Sequence, residues 1–211
     1  MATNPSEPRF PPGAFDREDE GDDAVFYAPP RLVTHIDDGA IAALTDLYRT
    51  TLPPGGEVLD LMSSWVSHLP AEVAYGAVIG HGMNAEELAA NPRLTRWFVQ
   101  DLNRDPAPPL VDASLDAALI CVGIQYLTRP IEVLTAIRGA LRPGAPAVIS
   151  FSNRCFPTKA VALWRALGHE AHASLIGHYL RAAGFAEIET RALTRGMAGD
   201  PLTAVIGRVA I

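Results

Sequence analysis

From residue 57 onward, short apolar runs alternate with segments whose apolar residues recur at three- and four-residue steps. That alternation predicts a mostly parallel sheet covered by helices. Strands are expected at residues 57–62, 75–80, 95–100, 115–122, 146–151, 185–193 and 203–211. The fourth run is almost wholly apolar, as a strand buried on both faces should be. The first is introduced by Pro53-Pro54-Gly55-Gly56 and ends in the polar pair Ser63 and Ser64, with a short helix expected at about 65–73.

Helix signals fall between the strands. In Asn84-Ala85-Glu86-Glu87, Asn84 can accept from the amide of Glu87 while the Glu87 carboxylate reaches back, a capping box that opens a helix to about Ala90. Pro130 suits the first turn of a helix carried by Ile131, Leu134, Ile137 and Leu141 and ended by Pro143-Gly144. Two more helices are expected at about 158–167 and 172–183, with Gly184 as a left-handed stop. The Pro-rich segment 106–109 reads as loop, and no internal repeat is found.

A length of 211 residues suits one domain with a continuous core. Hydrophobic residues make up 48% and charged residues 19%, a globular composition. Residues 1–23 are the exception: rich in Pro, Gly, Asp and Glu, they are expected to form a mobile arm before a domain spanning 24–211. The net charge is −7 and Lys159 is the sole lysine, so no basic stripe is present for nucleic acid, which is not an expected partner. No apolar run reaches the roughly 18 to 20 residues of a membrane helix, and no basic-then-apolar leader opens the chain. A cytoplasmic protein with reduced thiols is expected. Cys121 and Cys155 lack metal-ligand spacing, and Cys155 reads as a plain buried thiol. His169 and His172 can share one helix face, and a surface pair is expected there rather than a metal site.

Ligands of an open parallel sheet bind beyond the carboxyl ends of its strands, where the strand order reverses. The positions to question are therefore residues 62–64, 82–84, 101–103, 123–126 and 152–155, and polar groups recur at almost all of them. Loop residues facing water would give the same pattern without any function.

The succession Val58-Leu59-Asp60-Leu61, Val78-Ile79-Gly80-His81-Gly82-Met83-Asn84-Ala85-Glu86-Glu87-Leu88, Val99-Gln100-Asp101-Leu102, Leu115-Asp116-Ala117-Ala118-Leu119-Ile120 and Leu141-Arg142-Pro143-Gly144-Ala145 resembles the class I S-adenosylmethionine-dependent methyltransferases of the type 11 subgroup. No single piece is specific, but five in the same order are. The resemblance implies a three-layer, Rossmann-like α/β fold with a seven-stranded, mostly parallel sheet, S-adenosyl-L-methionine as cofactor, and a small-molecule methyl acceptor. A homodimer is compatible with it.

The resemblance further implies cofactor contacts from Asp60 and the loop Met62, Ser63 and Ser64; from Gly82, Met83 and Asn84; from Asp101, Leu102 and Asn103; and from Val122 and Gly123. Asp101 would take the adenine amine, or else serve as a loop or cap aspartate. Two departures stand out. Met62, Ser63 and Ser64 replace the usual glycines, where a positive φ would cost about 1 kcal/mol or more. Gly82 replaces the carboxylate that accepts the ribose hydroxyls, which His81 or Asn84 would only partly supply.

Residues 26–37 precede the core domain, and in relatives segments in this position fold over the cofactor; Tyr27, Arg31 and His35 are the candidates here. An N-terminal helix packed on the sheet is the plainer expectation for most of that stretch. Gln125 and Tyr126 would sit at the level of the transferred methyl group, with Tyr126 equally suited to packing. Arg154 would hold an acceptor carboxylate, or else be merely solvated. His35 or His68 would act as base toward a hydroxyl acceptor. The rival expectation is a methyltransferase-like protein without turnover that serves as a binding or assembly module. A nicotinamide enzyme ranks last, because GxGxxG is absent after the first strand.

Overall fold

Side chains alternate across a strand, and that alternation sorts this sheet into two apolar faces. Leu59 and Leu61 belong to one cluster and Val58 to the other; likewise Ala118 and Ile120 face one way, Ala117 and Leu119 the opposite way. The computed structural model describes residues 10–197 and 199–211. Its strands are β1 (Glu57–Leu61), β2 (Ala77–Gly82), β3 (Arg96–Val99), β4 (Ala117–Cys121), β5 (Pro146–Ser152), β6 (Ala186–Thr194) and β7 (Leu202–Arg208). They form one sheet in the order β3-β2-β1-β4-β5-β7-β6. Only β7 runs against its neighbours; the pairings among β1 to β5 are parallel.

The helices among the described residues are α1 (Asp23–Phe26), α2 (Asp38–Thr51), α3 (Ala85–Ala90), α4 (Pro130–Ala140), α5 (Ala162–Ala166) and α6 (His169–Ala182), with a 3-10 turn at Ile124–Tyr126. Buried residues of α4, α5 and α6 pack on the Leu59 face, and those of α2 pack on the Val58 face. The three-layer, Rossmann-like, seven-stranded architecture expected from the sequence is the one observed.

Several local expectations hold. Asn84 caps α3, its Oδ1 accepting from the amides of Glu86 and Glu87 at 2.9 and 3.0 Å. Pro130 opens α4, and Gly184 stops α6 at φ +86°. Other expectations need correction. No helix forms over 65–73, because Pro70 disfavours helical backbone at Leu69 and the Ser67 hydroxyl is committed to Asp60. The helix expected from 158 is only α5, since the Val161 amide bonds the Gln125 carbonyl and the Thr158 carbonyl accepts from Asp19.

Residues 27–37 are irregular rather than helical; the helix lies beyond them, in α2, opened by Asp37, whose Oδ1 accepts from Ala40 at 2.8 Å. Part of the stretch expected as a mobile arm, residues 1–9, falls outside the described residues. Residues 10–23 are packed down: Phe10 and Phe15 lie against the core, and Asp23 is buried. Arg17 grips Asp23 through two bonds of 2.9 and 2.7 Å, and the buried Lys159 ammonium lies 3.0 Å from Asp23 and 3.1 Å from Asp19.

Candidate functional site

The sheet order reverses at β1 and β4, and beyond their carboxyl ends lies a cavity of about 320 Å³. Met62, Ser63 and Ser64 line it after β1; Gly82, Met83 and Asn84 line it after β2. Asp101, Leu102 and Asn103 follow β3, and Val122, Gly123 and Tyr126 follow β4. Arg154 closes the β5 side, while Tyr27, Arg31 and His35 cover the top. Three expected site residues are not in this wall: Asp60, Gln125 and His68, the last of which lines a smaller chamber. Asp60 points to the α2 face, because the strand period places it opposite Leu59 and Leu61. Gln125 is tucked behind the wall, its Nε2 donating to the Val122 carbonyl at 2.8 Å.

The loop after β1 takes its shape without glycine. Met62 adopts φ +56° and Val122, facing it across the crevice, φ +45°, left-handed values that cost a non-glycine residue about 1 kcal/mol or more. Neighbouring groups hold them. The Met62 amide donates to His81 Nδ1 at 3.1 Å, and the Ser63 amide to the His81 carbonyl at 2.6 Å. His81 Nδ1 is therefore unprotonated, and its Nε2–H faces the Gln100 carbonyl at 2.9 Å. Burial pushes this imidazole down to about 4, so it stays neutral near pH 7 and joins the ends of β1, β2 and β3.

The same loop explains Gly82. A Cβ at position 82 would meet the Ser63 carbonyl oxygen at 2.5 Å, so the backbone of loop one occupies the space where a side chain would begin. Gly123 is likewise covered, its would-be Cβ 3.0 Å from Met62 Cβ.

Asn84 and Glu87 fasten the cover. Asn84 Nδ2 donates to the carbonyls of Tyr27 and Ala28, both at 2.9 Å. Glu87 does not complete the capping box; its Oε1 accepts instead from the Arg31 amide at 2.6 Å. The Arg31 guanidinium lies over Phe26, Tyr27 and Phe156 at 4.7, 5.7 and 5.3 Å from the ring centres. Asn103 ties the floor to the arm, with Nδ2 donating to Asp23 Oδ2 at 3.1 Å and to the Tyr126 carbonyl at 3.0 Å. Asp101 Oδ1 accepts from the Asn103 amide at 2.9 Å, an Asx turn that also fixes the carboxylate at the cavity wall.

The remaining candidates are partly occupied. The Tyr126 hydroxyl accepts from the Phe156 amide at 2.9 Å, and burial pushes its phenol up to about 12. Arg154 Nε donates to Asp200 at 2.7 Å, leaving its terminal nitrogens for a ligand. His35 packs edge-on to Phe156 at 5.8 Å, and burial lowers its pKa. Burial also lowers that of His68, which faces a smaller chamber of about 40 Å³ under the same loop. That chamber holds Asp60, whose carboxylate accepts from the hydroxyls of Ser63 and Ser67 and whose pKa burial raises.

Cys155 is exposed, not buried, and lines the large cavity. His169 and His172 are not a surface pair: His172 stacks on Trp164 with ring centres 3.8 Å apart, and His169 bonds Thr203 Oγ1 at 2.9 Å. Among the described residues no group of three or more His, Cys, Asp or Glu could hold a metal ion, and no helix is long and apolar enough to cross a membrane. His81, expected as a partial substitute for the ribose carboxylate, lines the cavity with both ring nitrogens already engaged by Met62 and Gln100, whereas Asp23, Glu87 and Phe156 line it without having been expected as site residues. Only Glu87 carried a sequence signal, as the expected partner of Asn84.

No protein-family model matches the chain. It is 32% identical over 170 residues to the non-canonical nonribosomal peptide synthetase CymA of Salinispora arenicola (strain CNS-205), a match covering 75% of this chain; the chain spans about 2% of that relative's length. Among solved structures, the [4+2]-cyclase SpnF superposes with a TM-score of 0.62 at 17% identity, covering 89% of this chain and 91% of that one. Phosphoethanolamine N-methyltransferase 2 of Haemonchus contortus, in complex with S-adenosyl-L-methionine, superposes with a TM-score of 0.59 at 14% identity, covering 81% of this chain and 52% of that one. The chain has the class I methyltransferase fold.

Proposed function

We propose that this chain is an S-adenosylmethionine-dependent methyltransferase acting on a small molecule. The observation that carries this reading is the cavity of about 320 Å³ seated where the strand order reverses, with the Asp101 carboxylate fixed in its wall. Its size falls within the roughly 300 to 1,000 Å³ of small-molecule sites. Asp101 suits the adenine amine, and the Leu102 amide beside it suits a ring nitrogen. The loop after β1 approaches the cavity with backbone groups held by His81, a substitute for the flexibility of glycine. The ribose end departs from the family pattern, because Ser63 covers Gly82.

When bound, the sulfonium supplies an electrophilic methyl group. The chain's own task is then to exclude water and align the acceptor. Residues 27–35 cover the cavity, and Tyr126 and Phe156, with Phe26 packed edge-on against Phe156, give the β5 side an apolar wall. His35, kept neutral near pH 7 by burial, can accept a proton from a hydroxyl acceptor. The terminal nitrogens of Arg154 suit an acceptor carboxylate. The likeness to part of a peptide synthetase supports a small-molecule acceptor.

Calorimetric titration with S-adenosylhomocysteine tests the reading. Saturable heat is expected. No heat at millimolar ligand refutes it and leaves a methyltransferase fold used for assembly, and a crystal grown with the same ligand would outline the acceptor pocket beyond its sulfur.

A further inference from the structure

A ribose offers two adjacent hydroxyl donors, and the strongest partner for such a pair is a carboxylate, whose charge-assisted bonds are about twice as strong as neutral ones. No side chain at position 82 can supply it, since the Ser63 carbonyl fills the place of its Cβ. Three carboxylates line the cavity: Asp23, Glu87 and Asp101. Asp23 is saturated by Arg17, Lys159 and Asn103. Asp101 stands at the β3 end, fixed by the Asn103 amide.

Glu87 differs from both. It is 8% exposed and sits in the first turn of α3, directly after β2. Its Oε1 accepts from the Arg31 amide, and among the described residues its Oε2 forms no hydrogen bond. That oxygen is not among the buried partnerless atoms but lies open to the cavity Glu87 lines, where a carboxylate oxygen is a ready acceptor for a ligand hydroxyl. His35 faces the same carboxylate, and its electrostatic effect is felt at that imidazole.

Resting on the nucleoside reading above, we propose that Glu87 takes the ribose diol through Oε2 while Oε1 holds the Arg31 amide, so that one side chain joins the ligand to the cover formed by residues 27–35. Asn84, one turn earlier, holds the Tyr27 and Ala28 carbonyls of that cover, so both fastenings come from the same end of α3. Ligand bound at Oε2 fixes the carboxylate and therefore favours the closed position of Arg31.

The test uses the full chain, the wild type and Glu87→Gln, with calorimetric titration of adenosine and 2′,3′-dideoxyadenosine. Glutamine keeps an acceptor oxygen for the Arg31 amide, and an unchanged melting temperature verifies the fold. The wild type is expected to prefer adenosine by about tenfold or more, and E87Q to lose most of that preference. S-adenosylhomocysteine should slow amide exchange over residues 27–35 in the wild type and do so less in E87Q. An equal preference for adenosine in both proteins overturns the assignment of Glu87 while leaving the methyltransferase reading intact. Silence of the wild type toward adenosine and S-adenosylhomocysteine alike overturns both.

Discussion

Protonating His81 should release the loop after β1, and the cost can be worked from its environment. The neutral ring accepts from the Met62 amide and donates to the Gln100 carbonyl; a second proton on Nδ1 would face the Met62 N–H and break the first contact. Its pKa falls from 6.5 to about 4 in the fold. The unfolded chain therefore binds the proton first as pH drops, so the stability due to this ring is fully present above about 6.5 and drains away toward 4. At roughly 1.4 kcal/mol per unit, the loss between pH 7.5 and 4.5 is on the order of 2–3 kcal/mol, or roughly 5–10 °C for a domain of this size. His81→Gln keeps one acceptor and one donor without titrating. Thermal melts of both proteins across that range isolate the effect, because carboxylates and other histidines cancel in the difference. The wild type should lose about 2–3 kcal/mol more than H81Q on acidification; parallel curves would refute the linkage between this imidazole and loop one.

Gly82→Ala should lower stability by about 1–3 kcal/mol, since its Cβ lands on the Ser63 backbone, and should weaken S-adenosylhomocysteine in calorimetry; an unchanged melt would mean that the loop yields freely. Lys159→Ala leaves Asp19 and Asp23 without their ammonium and should cost about 3 kcal/mol, with residues 10–27 cut faster in limited proteolysis; equal cutting rates would show that Arg17 alone secures the segment. Asp101→Asn should weaken S-adenosylhomocysteine about tenfold without moving the melting temperature, and undiminished affinity would assign Asp101 to its turn alone.

The sheet was legible in the sequence because its signals are local. The apolar run of β4, the Asn84 cap, Pro130 and Gly184 each act within a few residues, and each appears where the pattern puts it. Helix α2 had a readable signal as well: Ala40, Leu44, Leu47 and Tyr48 repeat at steps of four, three and one behind an Asp37 cap, and all four are buried. Asp60 could have been assigned to the α2 face from alternation with its neighbours alone. What the pattern could not carry is pairing across long separations. Glu87 and the Arg31 amide are 56 positions apart, and Ser63 over Gly82 is a collision between two loops that only the folded backbone reveals. Residues 10–23 looked disordered because they are rich in Pro, Gly, Asp and Glu; besides the nearby Arg17, their anchor is Lys159, 140 positions from Asp19, which reaches Asp19 and Asp23 only after folding.

The burial of Lys159, 1% exposed and the only lysine in the chain, has a practical consequence. Acylating reagents find no accessible side-chain amine on the native domain, so coupling to dyes, resins or crosslinkers through lysine will succeed only on molecules that have opened. The rate at which Lys159 is acylated thus becomes an intrinsic clock for the detachment of residues 19–23 from the body of the protein.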